Sequence, residues 1–385
     1  MKFAKKCLSC DEFSEYMRRL LSVCILLVPL FVLSCRRTAP AGRDTIAFVR
    51  QSAAQESPVR KMIIDGAAAG SAGNIYIIGR PEVCSMVSGA FATCDIFENA
   101  RGQSWSDGLK DFAGEEFDCI ADRAYFPYTV FLSSGDAEAL REACVRLSAG
   151  SLDTRCNLSV YDLDGNGEKV PAKMIILAEP VFAEYGKFDV DTLFSLCSCK
   201  VPVLSPEDLV FDAAFGGEKK YFNLGVLCDS LYSATGLYRS LFDYKVKEHD
   251  MVGARFFEAA SCGEGSLTAF LSAYAESGRT EPLDALLVTD WSVSLDDLKA
   301  ELKLVRDYKR EESMLYRKLL ADDFVILSAP EATMSACYRI LREHSLFTHK
   351  IAQPSVREYT AIHRTGGEEE NQFLLIPSEN VQNQY

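Results

Sequence analysis

Short apolar runs alternate with longer amphipathic ones along most of the chain, and the rhythm is clearest in its second half. Phe222 to Leu227 predicts a strand and Ser230 to Phe242 a helix. Gly253 to Ala259 is again a strand, Ser266 to Glu276 a helix, and Asp284 to Val288 a strand. From Leu295 to about Leu320, apolar positions at Leu295, Leu298, Leu302, Val305, Leu315 and Leu319 recur near every 3.6 residues, which predicts one long helix. Ser294 stands where a cap belongs, and Asp296 and Asp297 fill the first turn, where carboxylates complement the helix dipole. Phe324 to Leu327 is a strand, Glu331 to Arg342 a helix, and Tyr359 to His363 a last strand.

The first half repeats the theme less cleanly. Asn74 to Ile78 predicts a strand and Glu82 to Phe91 a helix; Thr129 to Leu132 predicts a strand and Ala137 to Leu147 a helix, with Asp136 at its cap. Asn157 to Leu163 and Lys173 to Ala178 read as strands joined by Asp164-Gly165-Asn166-Gly167, a hairpin signal. Residues 98–127 give no clear pattern. Strand–helix alternation forces parallel pairing, because each helix is the crossover between strands. The expected fold is therefore α/β, with two doubly wound lobes of mostly parallel sheet, over residues 58–200 and 201–364. An acidic polar tail, 365–385, follows, in which Phe373 to Ile376 adds one edge strand.

Ahead of the lobes lies one uncharged run, Leu20 to Leu33, preceded by Arg18 and Arg19 and closed by Ser34 and Cys35. It is shorter than the roughly 20 residues of a membrane span and ends in a small-residue cleavage pattern. It resembles the bacterial lipoprotein signal, with Val32-Leu33-Ser34-Cys35 as the lipobox. The resemblance implies that residues 1–34 are a removed signal peptide. It also implies that Cys35 is lipidated and holds the protein to the lipid bilayer on the periplasmic face of the cell envelope. Asp11, Glu12 and Glu15 are foreign to such a signal, so translation is expected to begin at Met17. Residues 35–57 read as a flexible tether, with only Thr45 to Val49 strand-like.

Net charge is −14 and becomes more negative without residues 1–34, which excludes a nucleic-acid partner. Ten cysteines follow Cys35 at irregular spacing; buried free thiols and disulfides both stay open. Cys197-Ser198-Cys199 lacks the second pair of a zinc knuckle. Asp162 to Gly167 begins like an EF-hand loop but has Lys173 at its twelfth position.

In open parallel sheets ligands bind beyond the carboxyl ends of the strands. Those ends are Gly79-Arg80-Pro81-Glu82, Ser133-Ser134-Gly135-Asp136, Ala178-Glu179-Pro180, Thr289-Asp290-Trp291 and Ser328-Ala329-Pro330-Glu331. Pro beside Glu is also how a helix starts. The candidate ligand contacts are Asp290, Trp291, Ser133, Ser134, Asp136 and Glu179, with Trp291 as a stacking surface beside a carboxylate. Ser-x-x-Lys and His-Glu-x-x-His motifs are lacking and the four histidines stand apart, so no catalytic residue, metal or cofactor is expected.

Two α/β lobes behind a lipid anchor resemble the type I periplasmic-binding-protein class. The resemblance implies a non-enzymatic solute receptor that captures a small molecule between its lobes, closes about a hinge and serves a membrane transporter. An envelope scaffold and an extracytoplasmic hydrolase remain open beside it.

Overall fold

Three apolar runs, Asn74–Gly79, Ala172–Leu177 and Asn223–Cys228, are buried at every position, as strands covered on both faces must be. They are the middle of the architecture. The computed structural model describes residues 43–97, 105–263, 265–310, 313–363 and 373–382. The signal and Cys35 lie outside these residues, as do parts of the tether and tail.

The strands, in chain order, are β1 (Asn74–Gly79), β2 (Glu116–Asp122), β3 (Arg155–Cys156), β4 (Gly167–Glu168), β5 (Ala172–Leu177), β6 (Val203–Leu204), β7 (Asn223–Cys228), β8 (Arg255–Ala260), β9 (Leu283–Val288), β10 (Leu320–Ser328), β11 (Ser355–His363) and β12 (Phe373–Pro377). They form a six-stranded sheet, β12-β11-β2-β1-β5-β6, a four-stranded sheet, β10-β9-β7-β8, and the small pair β3-β4. In the two large sheets only the β11–β12 pairing is antiparallel. The α/β class with mostly parallel sheets is thus the fold of this chain. Both sheets also run in one order: β2-β1-β5-β6 matches β8-β7-β9-β10. Each reverses direction once, between β1 and β5 and between β7 and β9.

Six local expectations change. Thr129–Ser134 is a helix, because the strand that pairs with β1 is Glu116–Asp122, inside the stretch that gave no pattern. Asn157 to Leu163 forms turns, and the Asp164–Gly167 turn joins only β3 and β4, while β5 leaves to pair parallel with β1. The long helix stops at Arg306, since Leu320 is drawn into β10 opposite Leu283; the Arg317 side chain donates to the freed carbonyls of Val305 at 3.3 Å and Asp307 at 2.6 Å. The strand-like stretch in the tether is the helix Ala47–Ser52, whose Val49 docks in the core. The last strand forms, but β11 and β12 return to the first sheet. The helix expected from Ser230 begins only at Leu237, after Gly236 at φ 81°, a left-handed conformation that suits glycine.

One apolar core joins the halves. Phe182, Phe211 and Phe215, from the helices that follow β5 and β6 of the first sheet, are packed in the same cluster as Tyr238, Leu241 and Phe242 from helix Leu237–Glu248, which follows β7 of the second. Both sheets belong to one compact unit that starts at Thr45. All ten described cysteines are free thiols and nine are at least partly buried, which resolves the open choice in favour of small apolar side chains.

Candidate functional site

The carboxyl ends of both sheets meet at one place, and each sheet offers it the gap where its strand order reverses. This is where open α/β sheets hold ligands. Arg80 follows β1, Glu179 follows β5 by two residues, Asp229 follows β7, and Asp290 follows β9 by two residues. A cavity of about 20 Å³ lies among them, lined also by Glu207, Tyr232, Tyr238 and Trp291. That is room for about one water.

Arg80 is the hub. Its Nη1 donates to Glu179 Oε2 at 3.0 Å and its backbone N–H to Glu179 Oε1 at 3.0 Å. Its other terminal nitrogen pairs with Asp229. Tyr232 donates its hydroxyl to Glu179 Oε2 at 2.6 Å. Glu179 is fully buried. It comes this near because the residue at the end of β1 is Gly79, where a Cβ would sit 3.2 Å from Glu179 Cγ. Burial pushes the Glu179 carboxyl up, and Arg80 and the Tyr232 hydroxyl pull against it.

Asp290 accepts from the Ser292 backbone N–H at 2.8 Å, the Ser292 hydroxyl at 2.7 Å and the Ser261 hydroxyl. Thr289 donates to the Tyr238 hydroxyl at 3.0 Å. Trp291 is half-buried and, like Met86, packs against the apolar cluster of Val83, Val87 and Ala178; its indole N–H is buried and has no hydrogen-bond partner among the described residues.

Glu207 differs from its neighbours. Helix Pro206–Phe215 starts after β6, capped by the Ser205 hydroxyl, and carries Glu207 in its first turn at 1% exposure. Its carboxylate accepts from the Ser205 hydroxyl at 3.3 Å and from its own backbone N–H, and among the described residues no basic side chain lines the cavity beside it except Arg80. Burial, then the nearby Asp208 and Glu179, push its carboxyl up to about 8. Near neutral pH Glu207 is therefore a neutral acid. With it protonated, the lining holds Glu179, Asp229 and Asp290 against Arg80 alone, a formal excess of two negative charges.

Of the candidates read from sequence, Glu179, Asp290 and Trp291 come together here. Ser133, Ser134 and Asp136 do not. The Ser133 and Ser134 hydroxyls donate to the Val130 and Phe131 carbonyls of their own helix, and Asp136 caps the next helix through Ala139 N–H at 3.1 Å. They were placed at a strand end that does not exist; the true end is Asp122, buried, bonded to the Tyr128 hydroxyl at 2.8 Å and pushed up to about 6 by burial. Arg80, Glu207, Asp229 and Tyr232 escaped the sequence reading. Arg80 stood in a strand-end segment, whereas Glu207 lies in a stretch, Ser205-Pro206-Glu207, to which the sequence reading assigned no element.

A second carboxylate group, Asp212 and Glu248 with His249, is positioned to ligate a cation. Lys245 already supplies one there, at 2.6 Å from Asp212 and 2.8 Å from Glu248.

No family model matches the sequence, and no curated protein does. Among solved structures, the chain is similar to a glutamate racemase from Francisella tularensis solved with D-glutamate, at 13% identity and a TM-score of 0.43, covering 75% of this chain and 88% of that one. It is similar also to the glutamate racemase isoform RacE1 of Bacillus anthracis, at 16% identity, a TM-score of 0.45, and 77% and 89% coverage. The maleate isomerase Iso of Pseudomonas putida follows at 12% identity, a TM-score of 0.35, and 70% and 92% coverage. At these values the likeness lies in the α/β arrangement. The expectation of a non-enzymatic solute receptor serving a transporter does not survive the architecture itself. The molecule gives the physical reason: the halves share an apolar core where a hinge would be needed, and the space between the sheets is a packed acid–base cluster with room for a water.

Proposed function

We propose that this chain is an acid–base enzyme of the proton-transfer class, acting where the two strand reversals meet, on a small substrate bearing a positively charged nitrogen. The observation that carries the reading is Glu207, a buried carboxyl held neutral near pH 7 beside an excess of carboxylates. A neutral acid with a pKa near the working pH is poised both to give a proton and to take it back. The surrounding carboxylates favour a cation, and Arg80, held by Glu179 and Asp229, keeps them from neutralising one another by protonation.

The test is exchange of substrate hydrogen with solvent. A panel of amino acids and small amines is incubated with the protein in deuterium oxide and followed by proton NMR. Deuterium enters a carbon-bound position of at least one compound, and Glu207→Gln slows this by about 10²–10⁴ while keeping side-chain shape. Exchange in none, or exchange indifferent to Glu207→Gln, refutes the reading.

Anchoring through Cys35 to a bilayer, on the extracytoplasmic face, is part of the same proposal. Its support is the order Arg18-Arg19, apolar run, Ser34-Cys35. Radiolabelled palmitate incorporated by the wild-type chain and lost in Cys35→Ala is the expected result; label retained in the variant refutes it.

A further inference from the structure

A second cavity, larger than the one in the cluster above, shares no lining residue with it and has an opposite character. It measures about 170 Å³ and opens between the N-terminal helices, the end of helix Ala137–Ser151 and the edge strand β12. Phe48, Val59, Met62 and Phe373 line it with apolar surface, and the guanidinium groups of Arg146 and Arg155 line it with charge. An apolar cavity of this size holds a body as large as a benzene ring.

The two arginines are not equivalent. Arg146 lies over the Phe48 ring at 4.0 Å and is paired with Glu142 at 2.6 Å. Arg155 is exposed; among the described residues its guanidinium makes one long hydrogen bond, to the Asp164 carbonyl at 3.4 Å, and no ion pair. The one carboxylate in the lining, Asp153, accepts from the Arg155 backbone N–H at 3.0 Å. Behind it the buried Lys169 ammonium donates to the Asp153 carbonyl at 2.5 Å and the Ser151 carbonyl at 3.1 Å. Arg146, Arg155 and Lys169 thus outnumber Glu142 and Asp153, on a chain that is strongly acidic as a whole.

We infer that this cavity is a second binding site, for a small amphipathic monocarboxylate whose apolar part sits against Phe48, Met62 and Phe373 and whose carboxylate pairs with Arg155. A guanidinium matches a carboxylate in geometry as well as charge. The inference stands apart from the acid–base reading, since none of these residues lines the other cavity.

Hexanoate, hexanol and hexylammonium probe it by isothermal titration on the full chain. Hexanoate binds at least tenfold more tightly than hexanol, and hexylammonium most weakly. Arg155→Gln, at an exposed position, leaves the fold intact and removes the preference for hexanoate over hexanol. Gly150→Leu fills the cavity: a Cβ there meets only the Phe373 ring, at 3.6 Å, so the backbone accepts it and binding of all three is lost. Equal affinity for hexanoate and hexanol, a preference for hexylammonium, no heat with hexanoate at millimolar concentration, or binding that survives Gly150→Leu overturns the inference.

Discussion

The first sheet buries charge at both ends of its strands, and the two ends are built differently. At the amino ends, Lys173 of β5 pairs with Glu115, just before β2, at 2.6 Å, with each side chain 1% exposed. Each partner has further bonds: Lys173 donates to the Leu346 carbonyl at 2.8 Å and the Ser71 carbonyl at 3.5 Å, and Glu115 accepts from Thr348 N–H at 2.8 Å. At the carboxyl ends, four carboxyl groups gather about one arginine, burial holds one of them neutral, and an indole N–H meets no acceptor among the described residues. The balanced pair has nothing left to offer a ligand. The unbalanced cluster keeps acid, charge and a donor in reserve, which costs stability and is what a site for chemistry requires.

Breaking the balanced end should cost most. Lys173→Met leaves Glu115 buried without its cation, and the expected loss is about 3–5 kcal/mol in urea unfolding at pH 7. A loss below about 1 kcal/mol would mean that Glu115 escapes to water and that the pair is not the structural one described.

The unbalanced end should respond in the opposite sense. An unfolded glutamate titrates near 4.3, whereas folded Glu207 titrates near 8. Between those values the folded chain holds the extra proton. Stability from this group is therefore full below the lower value and lost as pH rises, by about 1.4 kcal/mol per pH unit. Glu207→Gln removes that slope, so the variant should gain on the wild type steadily from pH 5.5 to 7.5, by somewhat under 3 kcal/mol in all. Parallel stability curves for the two proteins would place the acid elsewhere.

This contrast also marks how far the sequence could be read. Strands buried on both faces, such as Ile75 to Ile78 and Leu224 to Leu227, announce themselves by composition, and with the alternation they give the α/β class. Which sheet a strand joins is not written in it: β11 looks like a continuation of the second half, yet pairs with β2, more than two hundred residues earlier. The same holds for the site. Asp290, Trp291 and Glu179 were legible because each follows a strong strand. Glu207 was not, because its local role as a first-turn acid is complete in itself, and its neutral state arises only when distant elements exclude water from it. Ser133, Ser134 and Asp136 failed for the converse reason: local polarity at a helix joint resembles a strand end.

The finest test of the contrast is Trp291→Phe. Among the described residues the indole N–H has no partner, and a buried donor without one is a cost that the variant removes. Against this stands the smaller ring, which gives up contact with its partly buried surroundings. The two effects oppose each other, so stability should change by only about 1 kcal/mol or less, in either direction. Binding should not cancel in this way. If the N–H is held for an acceptor on the substrate, the variant should bind the compound found by solvent exchange about fivefold to tenfold more weakly, the factor that corresponds to a net hydrogen bond of about 1 kcal/mol. A residue that only covers the cluster would show the reverse: a measurable loss of stability, with affinity unchanged.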